Sequence, residues 1–228
     1  MQKLILFDFD GTLADTAPDL AATANTMRAR RQLPPLAFEK LRPMSSQGAR
    51  GLLRVALDVH TDDADYPVYR DEFLQLYEEN ILNSSHLFPG MAELLATIKQ
   101  AGYEWGIVTN KVEKLTYPLV EHFGLLDECS VIVGGDTTKN NKPHPEPMFY
   151  AANKAGFAPE NCVYIGDDER DILAGKAAGM PTLAAAWGYC DAAELPQWQA
   201  DAIVESASDV WPALQQIWQK TLKSESSQ

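Results

Sequence analysis

The chain has 228 residues, 46% hydrophobic and 22% charged, with a formal net charge of −13. That is the balance of a folded globular protein with a sizeable core, and it excludes disordered, collagen-like and disulfide-scaffold classes. The acidic excess argues against nucleic acid, which needs a basic face to displace counterions, and against an anionic membrane surface. Three cysteines, an odd count at unpaired spacings, suit neither a zinc site nor a disulfide framework.

Residues 3–9 form a short apolar run ending in acid, the pattern of a buried strand and too short for a signal peptide. Residues 16–84 carry helical patterns only. Asp15 or Thr16 is expected to cap a helix with Pro18 in its first turn, and further helices are expected over 45–57 and 63–80. Seven of the eight arginines, Arg28, Arg30, Arg31, Arg42, Arg50, Arg54 and Arg70, lie in this segment. Beyond it, strands are expected at 105–108, 131–133, 163–165 and 182–186. Helices at 90–100, 112–123, 146–155 and 170–178 alternate with them.

This alternation predicts an α/β fold with a parallel sheet and crossover helices. An all-helical stretch inside it reads as an insertion. We therefore expect a core of residues 1–15 and 85–228, with a helical cap of residues 16–84 over the carboxyl edge of the sheet. Residues 223–228 read as a frayed tail. The longest uncharged stretch, 177–190, is shorter than the ~20 residues a spanning helix needs, so a cytoplasmic protein is expected.

The chemistry concentrates where strands end. In Asp8-Phe9-Asp10-Gly11-Thr12-Leu13 the two acids are two residues apart and so share a strand face, and Gly11 permits a tight departure. Two acids at the end of a buried strand are costly unless a cation joins them. Val108 leads into Thr109-Asn110, and Ile165 into Gly166-Asp167-Asp168-Glu169-Arg170-Asp171. Taken singly, the first reads as a helix cap and the second as a solvated helix start, but together they converge on the Asp8 edge. Lys142, in Lys142-Pro143-His144-Pro145-Glu146-Pro147, supplies a cation on a stiffened loop. The set suits Mg²⁺ and phosphate, since Mg²⁺ binds through one or two carboxylates, substrate phosphate and water. A nucleotide P-loop and a Gly-x-Ser-x-Gly elbow are both absent. In the helical segment, Gly48-Ala49-Arg50-Gly51 would let a ligand approach closely. Arg50 there suits a second anionic group on the substrate, against the plainer reading of an exposed helix-face arginine.

The ordered set Asp8-x-Asp10-Gly11-Thr12, Thr109-Asn110, Lys142-Pro143 and Gly166-Asp167-x-x-x-Asp171 resembles the haloacid dehalogenase-like phosphohydrolases, over residues 3–189. The resemblance implies a Rossmann-like doubly wound parallel sheet, order 3-2-1-4-5, with an inserted α-helical cap. It implies Asp8 as nucleophile and Asp10 as general acid and base. Thr109 and Lys142 would hold the phosphate, with Gly11 and Asn110 beside them. Mg²⁺ would rest on Asp8, Asp167 and the Asp10 backbone carbonyl, with Asp171 and Asp168 behind these ligands. Many members have Ser at the place of Asp168; the extra acid is expected to tighten metal binding or to orient a water. Within the family the chain resembles the phosphoglycolate phosphatase group, and Asp15-Thr16-Ala17-Pro18-Asp19, Gly48-Ala49-Arg50, Met91-Ala92-Glu93-Leu94-Leu95, Trp105-Gly106 and Arg170-Asp171-Ile172 are more similar still to the N-acetylmuramic acid 6-phosphate phosphatases. The implied activity is Mg²⁺-dependent hydrolysis of a small phosphorylated metabolite by a monomer or homodimer. A sugar-phosphate mutase of the same fold stays open, as does a phosphorylation-switched receiver-like module. The large insertion and Asp10-Gly11-Thr12 argue against the receiver.

Overall fold

The computed structural model describes residues 2–225, with side chains through Gln219. The chain opens with β1 (Leu4–Phe7) and a two-residue β2 (Ala14–Asp15). Four helices follow: α1 (Ala17–Arg30), α2 (Phe38–Leu41), α3 (Gly48–Leu57) and α4 (Tyr66–Asn80), with a 3-10 turn at Arg42–Gln47. The chain returns through β3 (His86–Leu87) to α5 (Met91–Gln100), β4 (Glu104–Val108), α6 (Glu113–His122), β5 (Ile132–Val133) and α7 (Glu146–Ala155). It ends with β6 (Cys162–Gly166), α8 (Glu169–Ala177), β7 (Thr182–Ala185), β8 (Ala202–Val204) and α9 (Ala207–Glu225).

Six of these strands form one parallel sheet in the order β5-β4-β1-β6-β7-β8. The order expected from the family holds over five strands, and β8 extends it by a sixth. β8 has three residues and its Ile203 is exposed, so it carries neither a buried run nor an alternation to signal it. β1 lies at the centre, which explains why all four of its residues are apolar. Leu4 and Leu6 pack with Met148 and Ala151 of α7 and Ala174 of α8 on one face. Ile5 and Phe7 join the cluster of Leu95, Ile98, Leu119, Val210 and Leu214 from α5, α6 and α9 on the other. A strand covered on both faces has no polar positions to alternate with.

The strand order reverses at β1, between β4 on one side and β6 on the other. In such sheets the crevice beyond the carboxyl ends at the reversal is where ligands bind. The helical segment begins at that end. Leu20, Ala24 and Met27 of α1 pack with Leu52, Leu53 and Ala56 of α3 and with Phe73, Leu76 and Tyr77 of α4. β2 and β3 pair antiparallel, Ala14 with Leu87 and Asp15 with His86, so the chain leaves for the helices and returns on adjacent strands.

Two helices start later than their patterns suggest. Residues 42–47 form the 3-10 turn, and α3 starts directly after it at Gly48, whose φ is +57°. Asp63 accepts the His60 N–H in a turn, and α4 begins at Tyr66 with Pro67 in its first turn. The N-terminus of α1 is served by Asp15, whose Oδ1 accepts the Ala17 N–H at 3.2 Å, and by the Tyr189 hydroxyl, which accepts from Thr16 and Ala17. The Thr16 hydroxyl turns to Asp10 instead. Of the expected tail, α9 runs through Glu225 and residues 226–228 lie outside the described residues. All three cysteines are free, and among the described residues no helix is long and apolar enough to cross a membrane.

Candidate active site

The loop leaving β1 closes on itself: the Leu13 and Ala14 N–H groups donate to the Phe9 carbonyl, and Gly11 takes φ +85°. A side chain at Gly11 would put its Cβ 2.2 Å from Asp167 Oδ2, so the glycine is required by conformation and by space. Around this loop Asp8, Asp167 and Asp171 each bring a carboxylate oxygen within 4.8 Å of the others. Asp8 Oδ1 accepts the Phe9 N–H at 2.7 Å. Asp167 accepts from the Thr12 hydroxyl at 2.9 Å and the Tyr189 N–H at 2.8 Å. Asp171 accepts the Asp168 N–H at 3.1 Å.

Burial, followed by the Asp8 and Asp171 charges, pushes the Asp167 carboxyl well above its usual range. Burial likewise pushes Asp171 up to about 7; the Lys142 ammonium opposes the shift and the Asp8 and Asp168 carboxylates add to it. Three buried carboxylates against one ammonium leave surplus negative charge among hard oxygen donors, which fits a hard divalent cation such as Mg²⁺. This trio holds the Asp171 carboxylate, which the family resemblance set behind the ligands.

That ammonium is Lys142, whose side chain is only 2% exposed. Its Nζ lies 2.8 Å from Asp8 Oδ1 and 2.6 Å from Asp171 Oδ1, and it donates to the Tyr164 hydroxyl at 2.8 Å. Burial disfavours the charged form, but Asp171 and Asp8 outweigh it and hold the Lys142 pKa above its ordinary value. The backbone of Lys142 is clasped by Asn110: Nδ2 donates to the Lys142 carbonyl and Oδ1 accepts the Lys142 N–H, both at 3.0 Å. Asn110 thus spends its amide on placing the lysine. Thr109 is buried at the end of β4, where its hydroxyl accepts the Lys111 N–H.

The Asp10 carboxylate stands outside the acidic trio. It accepts from the Thr16 hydroxyl and pairs with Lys111 Nζ at 3.0 and 3.1 Å. Asp168 also stays outside the trio. It caps α8 by accepting the Arg170 N–H and binds the Arg170 guanidinium at 2.7 and 2.8 Å. Arg170 in turn donates to the Ser46 carbonyl in the 3-10 turn at 2.7 Å. The extra acid therefore anchors a link between α8 and the helical segment. Arg42 makes a second link, donating to the Gly188 carbonyl at 2.7 Å and lying over the Tyr189 ring.

A cavity of about 540 Å³ joins these parts, lined by Asp8, Asp10, Thr109 and Lys142 on the sheet side and by Arg50, Arg70 and Tyr77 on the helical side. The Arg50 side chain is exposed and makes no hydrogen bond or ion pair among the described residues. Lys111, Tyr77, Tyr164, Arg170 and Arg42 were not singled out from sequence as site residues. For Lys111 a signal existed in its place directly after Thr109-Asn110; the others act through contacts between residues distant in sequence.

A family model described as haloacid dehalogenase-like hydrolase matches residues 5–185. A phosphoglycolate phosphatase of Xanthomonas campestris pv. campestris is 46% identical over 210 residues, covering 92% of this chain and 95% of the relative. An N-acetylmuramic acid 6-phosphate phosphatase of Pseudomonas aeruginosa is 40% identical over 204 residues, covering 89% and 90%. The crystal structure of a predicted phosphoglycolate phosphatase from Haemophilus somnus 129PT superposes with a TM-score of 0.82 at 31% identity, over 92% of this chain and 97% of that one.

Proposed function

The chain belongs to the haloacid dehalogenase-like hydrolase family, and on that premise we propose that it is a Mg²⁺-dependent phosphomonoester hydrolase working through an aspartyl-phosphate on Asp8. The observation that carries this reading is the placement of Asp8 at the strand-order reversal, held against Lys142 and within 4.8 Å of Asp167 and Asp171, on the wall of a large cavity. Asp8 attacks phosphorus in line with the leaving oxygen, while Asp10 gives that oxygen its proton and later takes one from the hydrolytic water. Lys142 and Thr109 offset charge on the transferring oxygens. Asp8, Asp167 and Asp171 would hold Mg²⁺, which supplies further neutralisation of phosphoryl charge and favours the ionised Asp8. Residues 16–84 serve as a cap over this core of 1–15 and 85–228.

The substrate we propose is a small phosphomonoester that also carries a carboxylate. Both relatives' names, phosphoglycolate phosphatase and N-acetylmuramic acid 6-phosphate phosphatase, denote such molecules. Arg50 lines the helical wall of the cavity, which supports reading it as the partner of that second charge. The test is phosphate release from 2-phosphoglycolate, N-acetylmuramic acid 6-phosphate and a panel of sugar phosphates, with Mg²⁺ and with chelator. We expect turnover with Mg²⁺ only, and none from Asp8→Asn with its fold intact. Full activity in chelator, near-normal activity of the undeamidated variant, or an isomerised product without free phosphate would overturn the proposal.

A further inference from the structure

Lys111 is a buried ammonium that the proposed reaction leaves without a role. Its side chain is 6% exposed. Its three donor directions are taken by Asp10 Oδ1 at 3.0 Å, Asp10 Oδ2 at 3.1 Å and the Tyr77 hydroxyl at 3.1 Å, and Nζ lies 4.7 Å from the Tyr77 ring centroid. Tyr77 belongs to α4 in the helical segment, whereas Asp10 and Lys111 belong to loops at the sheet edge. A buried lysine is costly unless its partners are good, so this arrangement has a geometric consequence: the Asp10 carboxylate is gripped on both oxygens by a group that α4 holds in place. Without Lys111 its remaining side-chain partner is the Thr16 hydroxyl, which contacts one oxygen.

We infer that Lys111 is a positioning residue, through which Tyr77 of the helical segment fixes the orientation of the Asp10 carboxylate toward the reacting phosphoryl group. The inference rests on the phosphatase reading above and adds to it a path by which the cap's position reaches the proton-transfer residue. It differs from two plainer roles: Lys111 as a phosphate ligand would act through substrate affinity, and Lys111 as a structural ion pair would act through stability alone.

p-Nitrophenyl phosphate separates these roles. Its leaving group departs without a proton, so phosphorylation of Asp8 does not need Asp10, whereas hydrolysis of the aspartyl-phosphate does. Lys111→Met should therefore release a rapid burst of about one p-nitrophenolate per enzyme and then turn over roughly 100-fold more slowly than wild type, the scale for misplacing a catalytic group. Because only the second step slows, KM should fall together with kcat, and kcat/KM should stay near wild type. Tyr77→Phe, which removes only the hydroxyl, should show a weaker form of the same pattern and should add nothing in the Lys111→Met background. Lys111→Arg keeps the charge and serves if Lys111→Met does not fold. A loss carried by KM, a loss without a burst, or a silent Tyr77→Phe would overturn the inference. Wild-type protein inert toward every phosphomonoester would instead remove the phosphatase reading on which it rests.

Discussion

Replacing Lys142 by Met should turn the active-site floor into a pH-sensitive weak point. The substitution keeps the aliphatic stem and removes the one ammonium that pairs with Asp8 and Asp171, leaving Asp8, Asp167 and Asp171 together without it. Removing one partner of a buried ion pair costs about 3–5 kcal/mol. For a chain of this size each kcal/mol shifts Tm by about 2–4 °C, so the variant should melt roughly 6–20 °C below wild type at pH 8 in chelator. The loss should shrink with acid. Asp171 already titrates at about 7, above its ordinary 3.8, and loses the ammonium that held its pKa down. A carboxyl whose folded pKa is raised contributes stability below its unfolded pKa and loses it as pH rises through the folded value. At pH 5 Asp171 is then protonated, and much of the repulsion is gone. Mg²⁺ should raise the Tm of the variant more than that of wild type at pH 8, because it replaces missing positive charge. Circular dichroism melts of both proteins from pH 5 to 8.5, with chelator and then with Mg²⁺, measure all of this. A difference in Tm that does not change with pH, or one under about 3 °C at pH 8, would refute the charge argument.

Gly11→Ala should destabilise by about 3 kcal/mol, from the left-handed backbone and from displacement of Asp167 off Thr12 and Tyr189; urea unfolding measures it, and a loss below about 1 kcal/mol contradicts the close approach. Arg50→Ala should lower kcat/KM for 2-phosphoglycolate roughly 10-fold, the scale of one charge-assisted hydrogen bond, and leave p-nitrophenyl phosphate nearly unchanged. Equal losses on both would place Arg50 in cap folding instead. Arg170→Ala cuts the link from Asp168 to the Ser46 carbonyl and should raise KM about 5–10-fold, with kcat within about 3-fold, in steady-state assays.

The sequence showed most plainly what depends on neighbours along the chain. The run Leu4 to Phe7 announces a strand covered on both faces, and the acids that follow it announce a site, because only a compensating cation makes them tolerable there. The Lys142 loop was legible for a related reason: its prolines set the conformation locally, and α7 begins at Glu146 as expected. What stayed hidden depends on residues far apart in the chain. Asp168 looked like a spare metal-site acid, yet its partner is Arg170 two residues on, and only the fold reveals that Arg170 continues to Ser46. Lys111 and Tyr77 are thirty-four positions apart, and no periodicity joins them. β2 and β3 have two residues each, a single repeat of the strand alternation and too little to show a pattern.

Those two short strands have a consequence for how such a protein can be altered. The chain departs at Asp15 and re-enters at His86, and paired antiparallel strands lie about 5 Å apart. The ends of the intervening segment therefore meet at a single doorway, and a foreign insert with similarly spaced ends can be grafted there while β1, β4 and β6 keep their register. Such a graft must bring apolar cover for Phe9, Leu13 and Ala14, which share one cluster with α1, α3 and α4. It would also take Tyr77, Ser46 and Arg42 away from Lys111, Arg170 and Gly188. A transplanted segment thus inherits the doorway but has to re-create three fastenings before it governs the same chemistry.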